Sequence, residues 1–189
     1  MKGRIEPSKL MGGLMLGAVG LLGLYVLKGA VTMMLAPTPP QGGEVAPDFT
    51  LPVLGEDAPR SLRAYDGDVV LLEFWTSACV GCLGATPKLN RLHERYRAEG
   101  FSVVSVNMDG DDGADAARVV KDRKIVYPVL LDPGHVADRY GVYATPTAIL
   151  LDAEGRIRAV HRGNVTEQRL DAEIRTLLER RKRAAEPSA

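Results

Sequence analysis

The 189-residue sequence lacks net charge, with 24 lysines and arginines against 24 aspartates and glutamates. A nucleic-acid-binding chain shows a basic excess, so the balance excludes that class for the chain as a whole. Cysteine is scarce, with two residues in all, and histidine numbers three. Structural zinc needs four ligands. Cys79 and Cys82 supply two, and His93 and His135 are too isolated to complete the set. Covalent haem attachment requires a histidine directly after the second cysteine, and Leu83 stands there. No internal repeat is visible. What is present is ordinary for a packed globular domain, 46% apolar and 25% charged residues. The length suits one domain plus an extra segment.

The charge is unevenly placed. Lys2, Arg4, Lys9 and Lys28 face only Glu6 before Pro37, which leaves 20 basic and 23 acidic residues from Pro37 onward. Leu10 to Leu27 is uncharged, and after Lys28 the chain is again uncharged to Ala36. About 20 apolar residues cross a bilayer as a helix, and the region 10–35 supplies them if Lys28 snorkels. The basic residues ahead of the run leave residues 1–9 in the cytoplasm and export the rest of the chain. A cleaved signal competes with this reading, although its apolar core is usually shorter and ends at a small-x-small site. Lys28 and Met34 occupy the first small position of the two candidate sites. A buried core helix is disfavoured by six glycines between Gly12 and Gly29. Gly13-x-x-x-Gly17 would allow two such helices to pack. The proline- and glycine-rich stretch from Pro37 to Gly43 has the composition of a tether. The predicted organisation is therefore a cytoplasmic N-terminus 1–9, a signal anchor 10–35, a linker 36–44, a folded domain 45–183 and a tail 184–189.

Within the domain, Val69 to Trp75 reads as a strand covered on both faces. A helix follows from Cys79 to Ala98, with Gly100 as its cap, and then a strand from Phe101 to Val106. Ala114 to Lys124 suits a helix and Val129 to Leu131 a short strand. Asp132-Pro133 is predicted to cap a short helix with proline in its first position, ending at Gly141. Thr147–Leu151 and Ile157–His161 flank a hairpin signal at 152–155. Leu170, Ile174, Leu177 and Leu178 share one helical face after Thr166, and Arg180 to Arg183 form a solvated basic end. The order β-α-β-α-β-α-β-β-α predicts an α/β domain with a helix-covered mixed sheet.

The cysteines carry the chemistry. Cys79-Val-Gly-Cys82 follows a buried strand and opens a helix, where free N–H groups and the helix dipole lower a thiol's pKa. At this spacing Cys82 is within reach to resolve a mixed disulfide formed at Cys79. A purely structural bridge would close a loop too short to stabilise much. Glu73 interrupts the apolar strand six residues earlier. Buried, its pKa would rise, suiting a group that exchanges a proton with Cys82. At a sheet rim it would simply pair with a lysine or arginine. Trp75 packs beside the cysteine turn, either contacting substrate or filling the core. Pro146 on its own would be read as a trans proline beginning a strand. Asp109-Gly-Asp-Asp-Gly113 has acidic spacing reminiscent of a calcium loop but lacks the final glutamate, and reads as a solvated loop capping the next helix.

Glu73-Phe-Trp-x-x-x-Cys79-x-x-Cys82 with Ala144-Thr145-Pro146-Thr147 resembles the thioredoxin superfamily. More narrowly, the chain is similar to membrane-anchored TlpA/ResA-type thiol–disulfide oxidoreductases. Ala46 to Leu51 resembles their N-terminal strand extension, and the stretches 106–109, 127–132 and 136–142 resemble their central insertion and the region after it. The resemblance implies a thioredoxin-like fold, with Cys79 as the attacking sulfur and Cys82 as the resolving one. It also implies a buried acid at Glu73 and a cis Thr145–Pro146 bond at which a client peptide pairs briefly as a strand. Trp75, Thr145 and Pro146 are thus candidate substrate contacts. Neither metal nor cofactor is expected, because the sulfurs carry the electrons. The expected partners are proteins with cysteines or disulfides and a membrane electron donor of the DsbD/CcdA kind, with the domain on the periplasmic side of the inner membrane. Apocytochromes c and copper-site proteins are the clients it suggests. Gly81 and Ala78 depart from the cytoplasmic thioredoxin pattern. Thr147 stands where the CcmG-like branch has glutamate. Two rival readings remain, a peroxiredoxin-like peroxidase, on the match of Thr76-Ser-Ala-Cys79, and a non-enzymatic copper(I) carrier.

Overall fold

Val69–Trp75 (β3) is a strand of seven residues, every one of them buried. Alternate side chains serve opposite sides of a sheet, so the strand needs cover on both. Val70, Leu72 and Phe74 join a core that includes Phe49, Tyr140 and Ile149. Val69 and Leu71 join Leu89, Leu92, Leu170 and Ile174 in a second core. The apolar run, broken only by Glu73, was the sequence sign of this double cover.

The structure is a computed structural model that describes residues 40–110 and 113–186, together with Tyr25. The chain divides into two units, 1–38 and 39–189. Apart from Tyr25, which is helical, the expected cytoplasmic stretch 1–9 and anchor 10–35 lie outside the described residues, as does the linker up to residue 39. Among the described residues no helix is long and apolar enough to cross a membrane.

A short hairpin, Thr50–Leu51 (β1) with Arg60–Ser61 (β2), precedes the main sheet. After β3 come Val80–Tyr96 (α1), Phe101–Asn107 (β4) and Ala114–Arg123 (α2). Next are Val129–Leu131 (β5), Val136–Arg139 (α3) and Thr147–Leu151 (β6), then Ile157–Arg162 (β7) and Glu167–Ala185 (α4). The five-stranded sheet has the order β5-β4-β3-β6-β7. Strands β3, β4 and β5 run parallel, while β6 and β7 are antiparallel to their neighbours. The predicted thioredoxin-like α/β architecture with a mixed sheet is what forms.

Both sheet margins carry a backbone bridge from the N-terminal stretch. Gly43 and Ala46 donate to the Ile157 and Gly155 carbonyls, with Val45 opposite Arg156 on the β7 side. Val53 lies opposite Leu130, and Leu54 donates to the Val129 carbonyl on the β5 side.

Three local expectations need correction. The Asp132 carboxylate accepts from the N–H groups of Gly134, His135, Val136 and Ala137, so it does cap α3. However, the helix begins at Val136 rather than at Pro133, because the carboxylate reaches across a full turn. Helix α4 continues to Ala185, into the expected tail. Its basic end is not simply solvated. The Arg181 guanidinium folds back to donate to the carbonyls of Gly67 and Glu99, and Lys182 pairs with Glu99 at 2.7 Å.

Gly100 is where this return meets the sheet. Its φ is +86°, and a Cβ there would lie 2.5 Å from the Arg181 guanidinium carbon. Gly100→Ala therefore meets both backbone strain and a clash. It is expected to cost on the order of 1–2 kcal/mol, since left-handed backbone alone costs that for an L-residue. A denaturant midpoint equal to wild type would show that the guanidinium and the turn relax without penalty.

Candidate active site

The register places one end of the sheet where the loops meet. Trp75 pairs with Asn107, while Phe74 pairs with Thr147, which pairs with Arg162. The ends of β3, β4 and β7 and the start of β6 therefore share an edge, with β3 at the point where the strand order reverses. Open α/β sheets place ligand sites at such a point.

Cys79 is the N-cap of α1, with extended backbone (φ −80°, ψ 98°). Its Sγ accepts the Cys82 N–H at 3.1 Å, so a helix-terminal donor points at the sulfur. Cys79 and Cys82 are disulfide-bonded, with Cα atoms 5.3 Å apart. Cys79 is partly exposed, whereas Cys82 is buried at 2%. An outer and an inner sulfur are thereby distinguished.

The turn before Cys79 is clamped by Asp109, a role the sequence reading missed. The Asp109 carboxylate accepts from the Ser77 N–H at 2.9 Å, the Ser77 hydroxyl at 2.5 Å and the Asn107 amide at 2.8 Å. Burial would raise this carboxyl, but the bonds from Ser77 and Asn107 outweigh it and hold the group below its ordinary range. The expectation of a solvated capping loop is thus corrected at Asp109, because its carboxylate is consumed by the cysteine turn. Residues 111 and 112 lie outside the described set, and Gly113 stands at the start of α2.

Thr145–Pro146 is cis, as the resemblance implied. A Cβ on Gly81 would lie 3.5 Å from Pro146 Cδ and 3.4 Å from Asn164 Nδ2. The proline ring thus lies against the cysteine turn. The Gly163 N–H donates to the Pro146 carbonyl at 2.8 Å and brings the β7–α4 loop in as a third wall. Gly163 and Asn164 carried no sequence signal, because their role depends on this approach. Thr145 and Pro146 are half-buried, while Tyr143 and Val80 are 80% and 82% exposed.

Trp75 lies elsewhere than a substrate contact requires. It is 2% exposed, packed with Cys82, Ala116, Val119 and Val129, and its buried indole N–H meets no acceptor among the described residues. It supports the turn from below, which corrects the substrate-contact expectation. His93 accepts the Val103 N–H, and His135 is exposed at the start of α3. Among the described residues no cluster of three His, Cys, Asp or Glu side chains is placed to hold a metal.

Glu73 is 4% exposed on the face covered by α1 and α4, and the rim alternative falls. The hydroxyls of Ser105 and Tyr127 donate to its Oε2 at 3.4 Å each, long bonds that compensate only partly. Burial pushes its pKa up to about 7, against the pull of those bonds and of the Lys88 charge.

With this geometry in place, comparison with known proteins assigns the family. Residues 43–160 match the model of the AhpC/TSA family. The chain belongs to that family. Its relatives include the thiol-disulfide oxidoreductase ResA of Halalkalibacterium halodurans, 33% identical over 132 residues, 69% of this chain and 74% of that one. The thioredoxin-like protein YneN of Bacillus subtilis is 31% identical over 71% of this chain and 79% of its own. A Chlorobium tepidum crystal structure, assigned as a thiol:disulfide interchange protein DsbE, superposes with a TM-score of 0.69 at 34% identity. The match covers 74% of this chain and 99% of that one. The thioredoxin domain of a Bacteroides vulgatus thiol-disulfide oxidoreductase gives 0.63 at 26% identity, over 74% and 96%. With its paired cysteines on the same fold, this chain is a thioredoxin-like thiol–disulfide oxidoreductase.

Glu73 also gives stability a pH dependence. The folded protein keeps the proton up to about pH 7, whereas an ordinary glutamate loses it near 4.5. Between those values the native state binds the extra proton, so the Glu73 contribution to stability is fully present below 4.5 and is lost as pH rises toward 7. The decline amounts to about 3 kcal/mol. Glu73→Gln should remove this component, so the difference in unfolding free energy between variant and wild type should grow across that window. A difference independent of pH would mean that Glu73 ionises normally.

Proposed function

We propose that Cys79 and Cys82 exchange electrons with cysteines of client proteins, with Cys79 as the attacking sulfur, Cys82 as the resolving sulfur and Glu73 as the proton carrier. The observation that carries this reading is the asymmetric pair at the tip of α1, whose turn at Gly81 lies against cis-Pro146. In the reducing direction, the Cys79 thiolate attacks a client disulfide and forms a mixed disulfide, releasing one client thiolate. Cys82, losing its proton to Glu73, then attacks Cys79 and releases the second thiolate. Two electrons pass to the client and the Cys79–Cys82 disulfide is left.

A helix N-terminus and a Cys82 N–H on its sulfur favour a thiolate at Cys79. A carboxyl with its pKa near 7 is suited to proton exchange at neutral pH. The backbone at Thr145, before the cis proline, would receive an extended peptide, and exposed Val80 and Tyr143 would offer it apolar contact. Reduction of clients is the favoured direction. The apolar run at 10–35, with its basic flank, supports an inner-membrane anchor and a periplasmic domain. In that oxidising compartment the pair needs recharging, which a membrane donor of the DsbD/CcdA kind would supply. Clients in cytochrome c or copper-site maturation are those that the TlpA/ResA-type resemblance suggests.

The Cys82→Ser variant should arrest exchange at the mixed disulfide on Cys79 and retain clients through a bond that reductant breaks. Recovery of no disulfide-linked protein from the envelope fraction would sink the client reading. Peroxide consumption as fast as disulfide reduction would favour the peroxidase instead, and stoichiometric copper(I) binding without dithiol activity would favour the carrier. Glu73→Gln should slow turnover near neutral pH with the fold intact. Equal rates from pH 6 to 9 would remove Glu73 from the mechanism.

A further inference from the structure

Glu73 is buried beneath α1, yet it is not sealed in. It lines a void of about 20 Å³ shared with Lys88, Ala85, Pro146 and Asn164. That is room for a single water molecule. Ala85 is one turn past Cys82 on α1, while Pro146 and Asn164 are the residues that lie against Gly81. One small volume thus touches the acid, the helix turn beyond the resolving sulfur and the proline wall of the cysteine site.

Lys88 is the cationic side chain on this void. It is half-buried, and its Nζ donates to the Val165 carbonyl at 2.5 Å, which ties the ammonium to the β7–α4 loop. A lysine on an exposed helix face would swing into solvent, whereas this one is held at the lining of the void by the Val165 carbonyl. We propose that Lys88 is a positioning residue for the Glu73 proton: its ammonium, fixed by Val165, governs proton release from Glu73, and the void is the passage by which that proton reaches solvent. The proposal rests on the role given to Glu73 above. The proton leaves the Cys82 thiol, is held on a Glu73 oxygen and departs through one water beside Lys88.

The surroundings leave Lys88 as the dominant charge on Glu73. From β4 comes the Ser105 hydroxyl and from the segment before β5 the Tyr127 hydroxyl, both neutral donors. On β7, His161 lies in register with Ala148 beside Glu73, but its Nε2 is 2.7 Å from Glu173 of α4. Glu167 attracts Lys88 from α4, yet its carboxylate is held by Arg91 at 2.6 Å. Burial lowers the Lys88 pKa while Glu73 and Glu167 raise it, and Lys88 in turn lowers Glu73, so the two groups are reciprocally linked.

The test compares Lys88→Met, which keeps length without charge, with Lys88→Arg in the full chain. The readouts are the Glu73 carboxyl titration by carbon NMR and the pH–rate profile for disulfide reduction. Lys88→Met should move the carboxyl midpoint up by roughly half a pH unit or more, as loss of a nearby opposite charge requires. The limb of the rate profile should follow it, Lys88→Arg should leave both near wild type, and adding Lys88→Met to Glu73→Gln should displace the profile no further. An unmoved carboxyl midpoint in Lys88→Met, or an equal displacement in Lys88→Arg, would overturn the proposal. The NMR titration needs no turnover. A Glu73 that titrates as expected but does not affect rate would therefore indict the mechanism rather than the Lys88 linkage.

Discussion

The burial of one carboxyl group on a strand without a wet side is the constraint around which this molecule is organised. β3 must be apolar on both faces to sit at the centre of the sheet, and Glu73 breaks that requirement where α1 crosses it. An ionised carboxylate there is costly, and two long hydroxyl contacts relieve only part of the cost. The group therefore keeps its proton to near neutrality. The packing that makes the sheet thus also raises the pKa of this acid, with Lys88 pulling against it.

The strand continues directly into the cysteine turn, so the acid and the sulfurs are fixed by a single stretch of chain. Three loops at the same sheet end then hold the turn in place. Asp109 grips it from the β4 side, Pro146 lies against it from β6, and the Gly163–Asn164 loop closes in from β7. Each loop contributes a different kind of restraint, respectively charge-assisted hydrogen bonds, a ring surface and a backbone bond to the Pro146 carbonyl. Chemistry at the sulfurs is therefore framed by the ends of several strands rather than by one motif.

Much of this was legible in the sequence, for identifiable reasons. The run Val69–Trp75 and the spacing of Leu170, Ile174, Leu177 and Leu178 encode burial by periodicity, and they form the strand and helix face expected. Cys79 at a helix start and the thioredoxin-like Thr145–Pro146 pair were readable because a short motif specifies them. The missed features depend on approach across the fold. Asp109 looked like part of a solvated acidic loop because nothing near it in sequence reveals that Ser77 will arrive. Lys88 is one more lysine on a helix until the β7–α4 loop meets it. Trp75 could be read as a contact or as core, and only the neighbours Ala116 and Val119 decide for the core. Asp132 was recognised as a cap, but the helix it serves starts farther on than proline rules suggest.

The bridges along the two outer strands carry a consequence for recognition. Residues near Val45 and Val53 occupy hydrogen-bonding positions that a neighbouring chain could otherwise use to extend the sheet. A guest strand approaching either flank is turned away there by the molecule's own leading segment. On the proposed reading, an extended client would use instead the short backbone beside Pro146, whose ring lies against the cysteine turn. Strand addition is thereby blocked at those two positions.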